Sequence, residues 1–246
     1  MELTVNALCL RCVDYKDNDK MATLYTLERG KIGVGARGVK KAGAKLNFCV
    51  QPFCFAEYTL NERSGRYTVT GASEIGNFYK LRLNVRAFYA ACVISEFLLK
   101  FTEDEQPDAE LFACSVKAIE NLCADGADSS AVLIKFLADA FGLLGYGAEF
   151  SVCGVCGCSE IGNRAFFDFG SGSSVCENCA GAGVTEIKPS TLKALRICAE
   201  GGICDEQSER GALLFFNRYA LLKCGDRLRT LSEYVAMCGS GACGPS

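Results

Sequence analysis

Apolar and polar positions alternate over the first 78 residues of this 246-residue chain. Leu3–Val13 alternates, Ala22–Leu27 is short and rich in strand formers, and Lys31–Val39 is a glycine-spaced run. Phe48–Leu60 is long and aromatic, and Arg66–Ile75 follows a Ser64-Gly65 turn. A period of two marks half-buried strands, so this region predicts five of them. Five strands bent at glycines suit a small closed barrel, of which the OB-fold is the five-stranded version known for holding nucleic acid.

At Tyr79 the period lengthens. Leu81, Val85, Phe88, Cys92, Phe97 and Leu99 recur at helical spacing as far as Phe101. Asp108 is placed to cap a second helix through Cys123, and Asp128 a third through Leu144, closed by Gly145. Residues 151–182 lose this period and are dominated by glycine, serine and cysteine. Pro189-Ser190 opens a helix through Ala199, and Glu206–Lys223 and Arg227–Met237 read as two more. The tail 238–246 is expected to fray. The predicted fold class is multidomain α+β: an N-terminal five-stranded OB-fold barrel, then an all-α region with an inserted four-cysteine, zinc-ribbon-like module. The expected domains are a barrel at 1–78, a helical domain at 79–150, the cysteine module at 151–182, and C-terminal helices at 183–246 packing on the helical domain.

Composition then narrows the chemistry. There is no histidine and there are 17 cysteines. Without imidazole there is no Ser-His-Asp or Cys-His catalysis and no histidine-ligated zinc or haem. Most cysteines lie in apolar runs such as Ala91-Cys92-Val93, where the thiol acts as a small hydrophobe, and this usage fits a reducing compartment. The N-terminal residues lack the pattern of a secretory signal, and no window is long and apolar enough to span a bilayer. A cytoplasmic location is expected.

Four cysteines stand apart. Cys153-x2-Cys156 is followed after 19 residues by Cys176-x2-Cys179. Tetrahedral zinc needs four soft ligands on two short turns, and paired C-x2-C motifs aim both sulfurs of each turn inward. The intervening FFDFGSGSS fits the hairpin of a zinc ribbon. One structural Zn2+ on Cys153, Cys156, Cys176 and Cys179 is therefore expected. Cys158 could replace Cys156, an iron–sulfur cluster is a second reading of the same ligands, and a lone C-x2-C redox pair a third. Four protein ligands would close the shell and leave no site for a reactive water.

Charge is segregated. Residues 1–80 carry +4, residues 81–150 carry −6 and residues 151–246 carry −1. Between Arg29 and Lys45 lie six cations and no acid: Arg29, Lys31, Arg37, Lys40, Lys41 and Lys45. Such a run on an acidic chain points to a polyanion, with nucleic acid the commonest. Of the barrel aromatics Tyr25, Phe48, Phe53, Phe55, Tyr58 and Tyr67, Tyr25 beside this run is the selected stacking candidate. Gly33-x-Gly35-x-x-Gly38 spells a dinucleotide fingerprint, but no amphipathic helix follows it, so the fingerprint is rejected. Close approach of strands in a barrel, with backbone open to a ligand, is the preferred account of these glycines.

These features together resemble the RecO family of bacterial recombination and repair mediators. Ala7–Lys41 is similar to the start of that family: an acidic turn, a Leu-Tyr-Thr strand, a Glu-Arg-Gly-Lys turn and a Gly-Ala-Arg-Gly basic strand. Gln51–Leu60 resembles its Gln-Pro-Phe strand, Lys135–Gly157 its Leu-Gly-Tyr helix end entering the zinc knuckle, and Asp226–Leu231 a motif near its end. The resemblance spans nearly the whole chain. It implies binding of single- and double-stranded DNA, annealing of complementary strands, and loading of RecA onto strands coated by the single-stranded DNA-binding protein. It implies RecR and the acidic tail of that coating protein as partners, RecA indirectly, association with the nucleoid during repair, and no catalysis. Lys135, directly before Phe136, is the expected tail-binding residue, although Asp139 stands where some members carry a cation. The competing readings are an OB-fold and zinc-ribbon factor in transcription or translation, and a thiol redox enzyme with a reactive C-x2-C.

Overall fold

The computed structural model describes residues 1–76, 78–159 and 163–239. It divides into two compact units, Met1–Cys123 and Ala124–Ser246.

In the first unit β1 (Glu2–Tyr15), β2 (Asp19–Thr26), β3 (Gly30–Ala36), β4 (Phe55–Arg63) and β5 (Arg66–Gly76) form a closed barrel in the order β1-β2-β3-β5-β4. The alternation acts as read from sequence. In β3, Ile32, Val34 and Ala36 turn inward while Gly33 faces out, Arg37 just past its end is exposed, and Val5, Leu24, Tyr58 and Leu60 are among the rest of the core. Most neighbouring strands pair antiparallel over seven or more positions. The closing contact of β3 with β5 is parallel and holds only Val34 to Tyr67 and Gly35 to Thr68.

Two expectations shift. The aromatic run Phe48–Leu60 is not one strand: Phe48–Val50 forms a short 3-10 turn, and β4 begins at Phe55. Pro52 and Phe53, the latter at φ 67, break the extended path between them. The helical stretch from Tyr79 likewise opens as a 3-10 segment, Tyr79–Leu83, before Asn84 accepts the Ala87 amide and starts α1 (Val85–Phe101).

Asp108 caps α2 (Ala109–Leu122) by accepting the Leu111 amide at 2.9 Å. Helices α1 and α2 belong with the barrel. Phe88 meets Phe53 edge-on, Phe112 lies against Tyr25 and Phe55, and the Lys31 amine reaches carbonyls at the end of α1.

In the second unit Asp128 caps α3 (Ser129–Leu143) through the Ser130 and Ala131 amides. A four-stranded sheet follows: β6 (Glu149–Cys153), β7 (Ala165–Asp168), β8 (Ser173–Val175) and β9 (Thr185–Ile187), in the order β6-β8-β7-β9. Helices α4 (Pro189–Ala199), α5 (Glu206–Cys224) and α6 (Arg229–Gly239) close the unit. Phe150, Phe167 and Phe169 of the sheet region pack on Phe215, Phe216 and Tyr219 of α5, which anchors the cysteine module to the helices. Cys238, expected in the frayed tail, is buried in the last turns of α6; residues 240–246, with Cys243, lie outside the described residues. No described helix is long and apolar enough to cross a membrane.

Candidate metal centre and nucleic-acid interface

Hairpin geometry builds the four-thiol cluster. Strands β7 and β8 pair antiparallel, Phe166 opposite Val175, across a turn that Asp168 ties by accepting from the Gly170 amide and the Ser171 hydroxyl at 2.8 Å each. This is the hairpin read from FFDFGSGSS. It delivers Cys176 and Cys179 at its end, the latter on a 3-10 turn, and β6 delivers Cys153 beside β8. Gly154 is required there, since a Cβ would lie 2.2 Å from the Ser173 hydroxyl oxygen.

The sulfurs of Cys153, Cys156, Cys176 and Cys179 all lie within 4.8 Å of one another. Cys153 and Cys176 are buried, Cys179 is half-buried and Cys156 is exposed. Cys158 lies near Cys156 and Cys176, whose thiols push its own up to about 12, but the mutually close set of four is made by the two x2 pairs. Burial raises the Cys153 thiol, yet the backbone amides of Cys156, Cys176 and Val155 together outweigh it and bring it down to about 6. Amides aimed at a sulfur favour thiolate, the form that binds metal. Four convergent sulfurs with amide donors around them are a donor set that fits a soft divalent ion.

The basic run divides into two groups. Arg29, Arg37, Lys41 and Lys45 are exposed. Lys31 is not an open cation. Its amine donates to the Leu99 carbonyl at 2.8 Å and the Thr102 carbonyl at 2.6 Å, lies 3.4 Å from Asp104, and is 11% exposed. Lys40 pairs with Asp14 at 2.8 Å. Tyr25 corrects the stacking expectation: it is fully buried, its ring lies against Phe112, and its hydroxyl has no partner among the described residues, so it presents no face to a base. In β2 it lies on the face opposite the barrel-core residues Ala22 and Leu24, and α2 covers that face through Phe112.

Lys135 uses its donors within its own unit, bonding both Asp139 oxygens at 3.2 and 2.9 Å and the Ala199 carbonyl at 3.1 Å. Asp139 balances its charge. The glycine reading also changes. Among the described residues a Cβ at Gly33 would meet nothing within 4 Å, and one at Gly35 would meet Met21 at 3.6 Å and the Tyr67 carbonyl at 3.8 Å, both ordinary contacts, so neither marks a close approach. That constraint falls on Gly30, where a Cβ would lie 2.2 Å from the Gln106 carbonyl oxygen.

Barrel, helices and four-thiol module define an OB-barrel protein carrying a cysteine-built module of metal-binding type. Comparison with known proteins narrows the class. Residues 1–78 match the family model "Recombination protein O N terminal" and residues 82–231 match "Recombination protein O C terminal". The chain is 30% identical over 190 residues to the DNA repair protein RecO of Clostridium novyi, covering 77% of this chain and 74% of that one. It is 30% identical over 210 residues to RecO of an Anaeromyxobacter species, covering 83% and 82%, and 29% identical over 243 residues to RecO of Myxococcus xanthus, covering 95% and 97%. The chain belongs to the RecO family, a family of DNA repair proteins.

Proposed function

We propose that this chain is a non-catalytic mediator of recombinational repair. It binds single- and double-stranded DNA, anneals complementary strands, and assists RecA loading on strands coated by the single-stranded DNA-binding protein. RecR and the acidic tail of the coating protein are its proposed partners. The observation that carries this reading is a run of cations without acids, five of them exposed and one of those paired with Asp14, on a closed five-stranded barrel. Exposed cations neutralise phosphates and release counterions, which drives binding without regard to sequence. A binder of this kind can bring two strands together and needs no bond-making residue. Annealing of complementary oligonucleotides coated with single-stranded DNA-binding protein tests the reading. Acceleration by this chain is expected, and an unchanged annealing rate overturns it.

In this reading Cys153, Cys156, Cys176 and Cys179 hold one zinc ion. Bound there, zinc would tie the hairpin to β6 and stabilise the fold. The surrounding residues do the rest: the amides of Cys156, Cys176 and Val155 favour the Cys153 thiolate, and the aromatic layer on α5 keeps the module in place. Elemental analysis of the purified protein is expected to find one zinc per chain; about two or four irons per chain with matching sulfide would assign the site to a cluster.

A further inference from the structure

The enclosure of Tyr25 leaves the DNA-binding reading without an aromatic surface for unpaired bases, and the first unit has one elsewhere. A cleft of about 290 Å³ opens between the Phe48–Val50 turn and the Tyr79–Leu83 turn. Phe53 lies in its wall, Phe48 and Tyr79 stand at its sides 38% and 60% exposed, and Phe78 lies parallel to Phe55, 6° between planes at 6.4 Å. Phe53 is held at φ 67, a conformation costly for a bulky residue and concentrated at functional sites. The surroundings carry one sign of charge along the chain. From Ile75 to Ser95 the sequence has three cations, Lys80, Arg82 and Arg86, and no acid. Arg82 is exposed and lines the cleft; Glu74 lines it as well.

We infer that this cleft receives an unpaired nucleobase of a single DNA strand, with Tyr79 as a stacking ring and Arg82 on the adjoining phosphate. Planar rings with cations beside them recognise single strands through base faces, which a duplex keeps stacked inside. A carboxylate inside the cleft disfavours phosphate there but can accept from a base amino group, so Glu74 keeps the backbone at the rim. An acidic peptide would also meet the cations, but Glu74 inside the cleft opposes its carboxylates and can accept from a base amino group, which favours the nucleic acid.

The inference rests on the DNA-binding reading, and the test separates the two. Affinity of the full chain is measured for an oligonucleotide, for the same oligonucleotide with abasic positions, and for its duplex. The wild-type chain is expected to bind the intact single strand at least about fivefold more tightly than the abasic one. Tyr79→Ala removes that difference, Tyr79→Phe keeps it, and duplex binding is unchanged in both. Arg82→Glu weakens binding to intact and abasic strands alike. If Tyr79→Ala binds the intact strand as the wild type does, while Lys41→Glu weakens it, the cleft inference is overturned and the DNA-binding reading stands. If the wild-type chain binds no DNA, both fall.

Discussion

Lys31 shows how a residue's role depends on partners far along the chain. Counted with its neighbours it is one of six cations, but its amine closes the end of α1 through the Leu99 and Thr102 carbonyls. Lys31→Met keeps the side-chain bulk and leaves those carbonyls without their donor. A loss of about 1–3 kcal/mol in urea unfolding is expected, with single-strand affinity little changed. Unaltered stability with collapsed DNA binding would return Lys31 to the phosphate contacts. Glu209 is a second such residue, only 2% exposed, accepting from the Cys204 amide at 2.9 Å. Burial, and then the nearby Asp128, raise its carboxyl to about 7 against that amide. The folded chain therefore keeps a proton that the unfolded chain releases near its usual value of 4.5. Stability from this group falls as pH rises from about 4.5 to about 7 and is level above that. Glu209→Gln should flatten this slope and add roughly 1–3 kcal/mol at pH 8. A slope identical to wild type in pH-dependent unfolding would exclude Glu209 as its source.

Elements whose signals are local were legible in the sequence. The helices start at Asp108 and Asp128 because each cap bonds amides two or three positions on, and the β7–β8 hairpin follows from its short glycine- and serine-rich turn. The clustering of the four thiols was legible for the same reason, since each x2 pair fixes two sulfurs on one turn. What the pattern did not carry was cover. Alternation places Tyr25 on one face of β2 but does not say that Phe112, 87 positions later, closes over it. The start of β4 was misread because hydrophobicity runs unbroken through Phe48–Leu60, while the break lies in the backbone at Pro52-Phe53. At this scale the four-thiol set makes a selective prediction. Cys153→Ser and Cys176→Ser should each lower bound metal well below one per chain, and Cys158→Ser should leave it unchanged. Metal loss in the Cys158 variant alone would move the ligand from Cys156 to Cys158.

For the molecule as a whole, net charge is a poor guide. The chain carries −3, yet its first unit presents Arg29, Arg37, Lys41 and Lys45 outward from a barrel segment that is positive overall. With those four on phosphates, the logarithm of single-strand affinity should fall with log salt at a slope of about −3, near −0.7 per contact. A slope near zero in a salt titration would remove this surface from DNA binding. The barrel's closing seam bears on a different property. Only two residue pairs join β3 to β5, and β3 carries glycine at three of its seven positions. The seam is thus the latch of the barrel, and thermal opening begins there rather than at the long antiparallel pairs. Unlatched, the cylinder unrolls into an open sheet whose two free borders are β3 and β5. Borders of that kind pair with those of another molecule, so the same seam that completes the fold also sets where two chains would first exchange strands or aggregate.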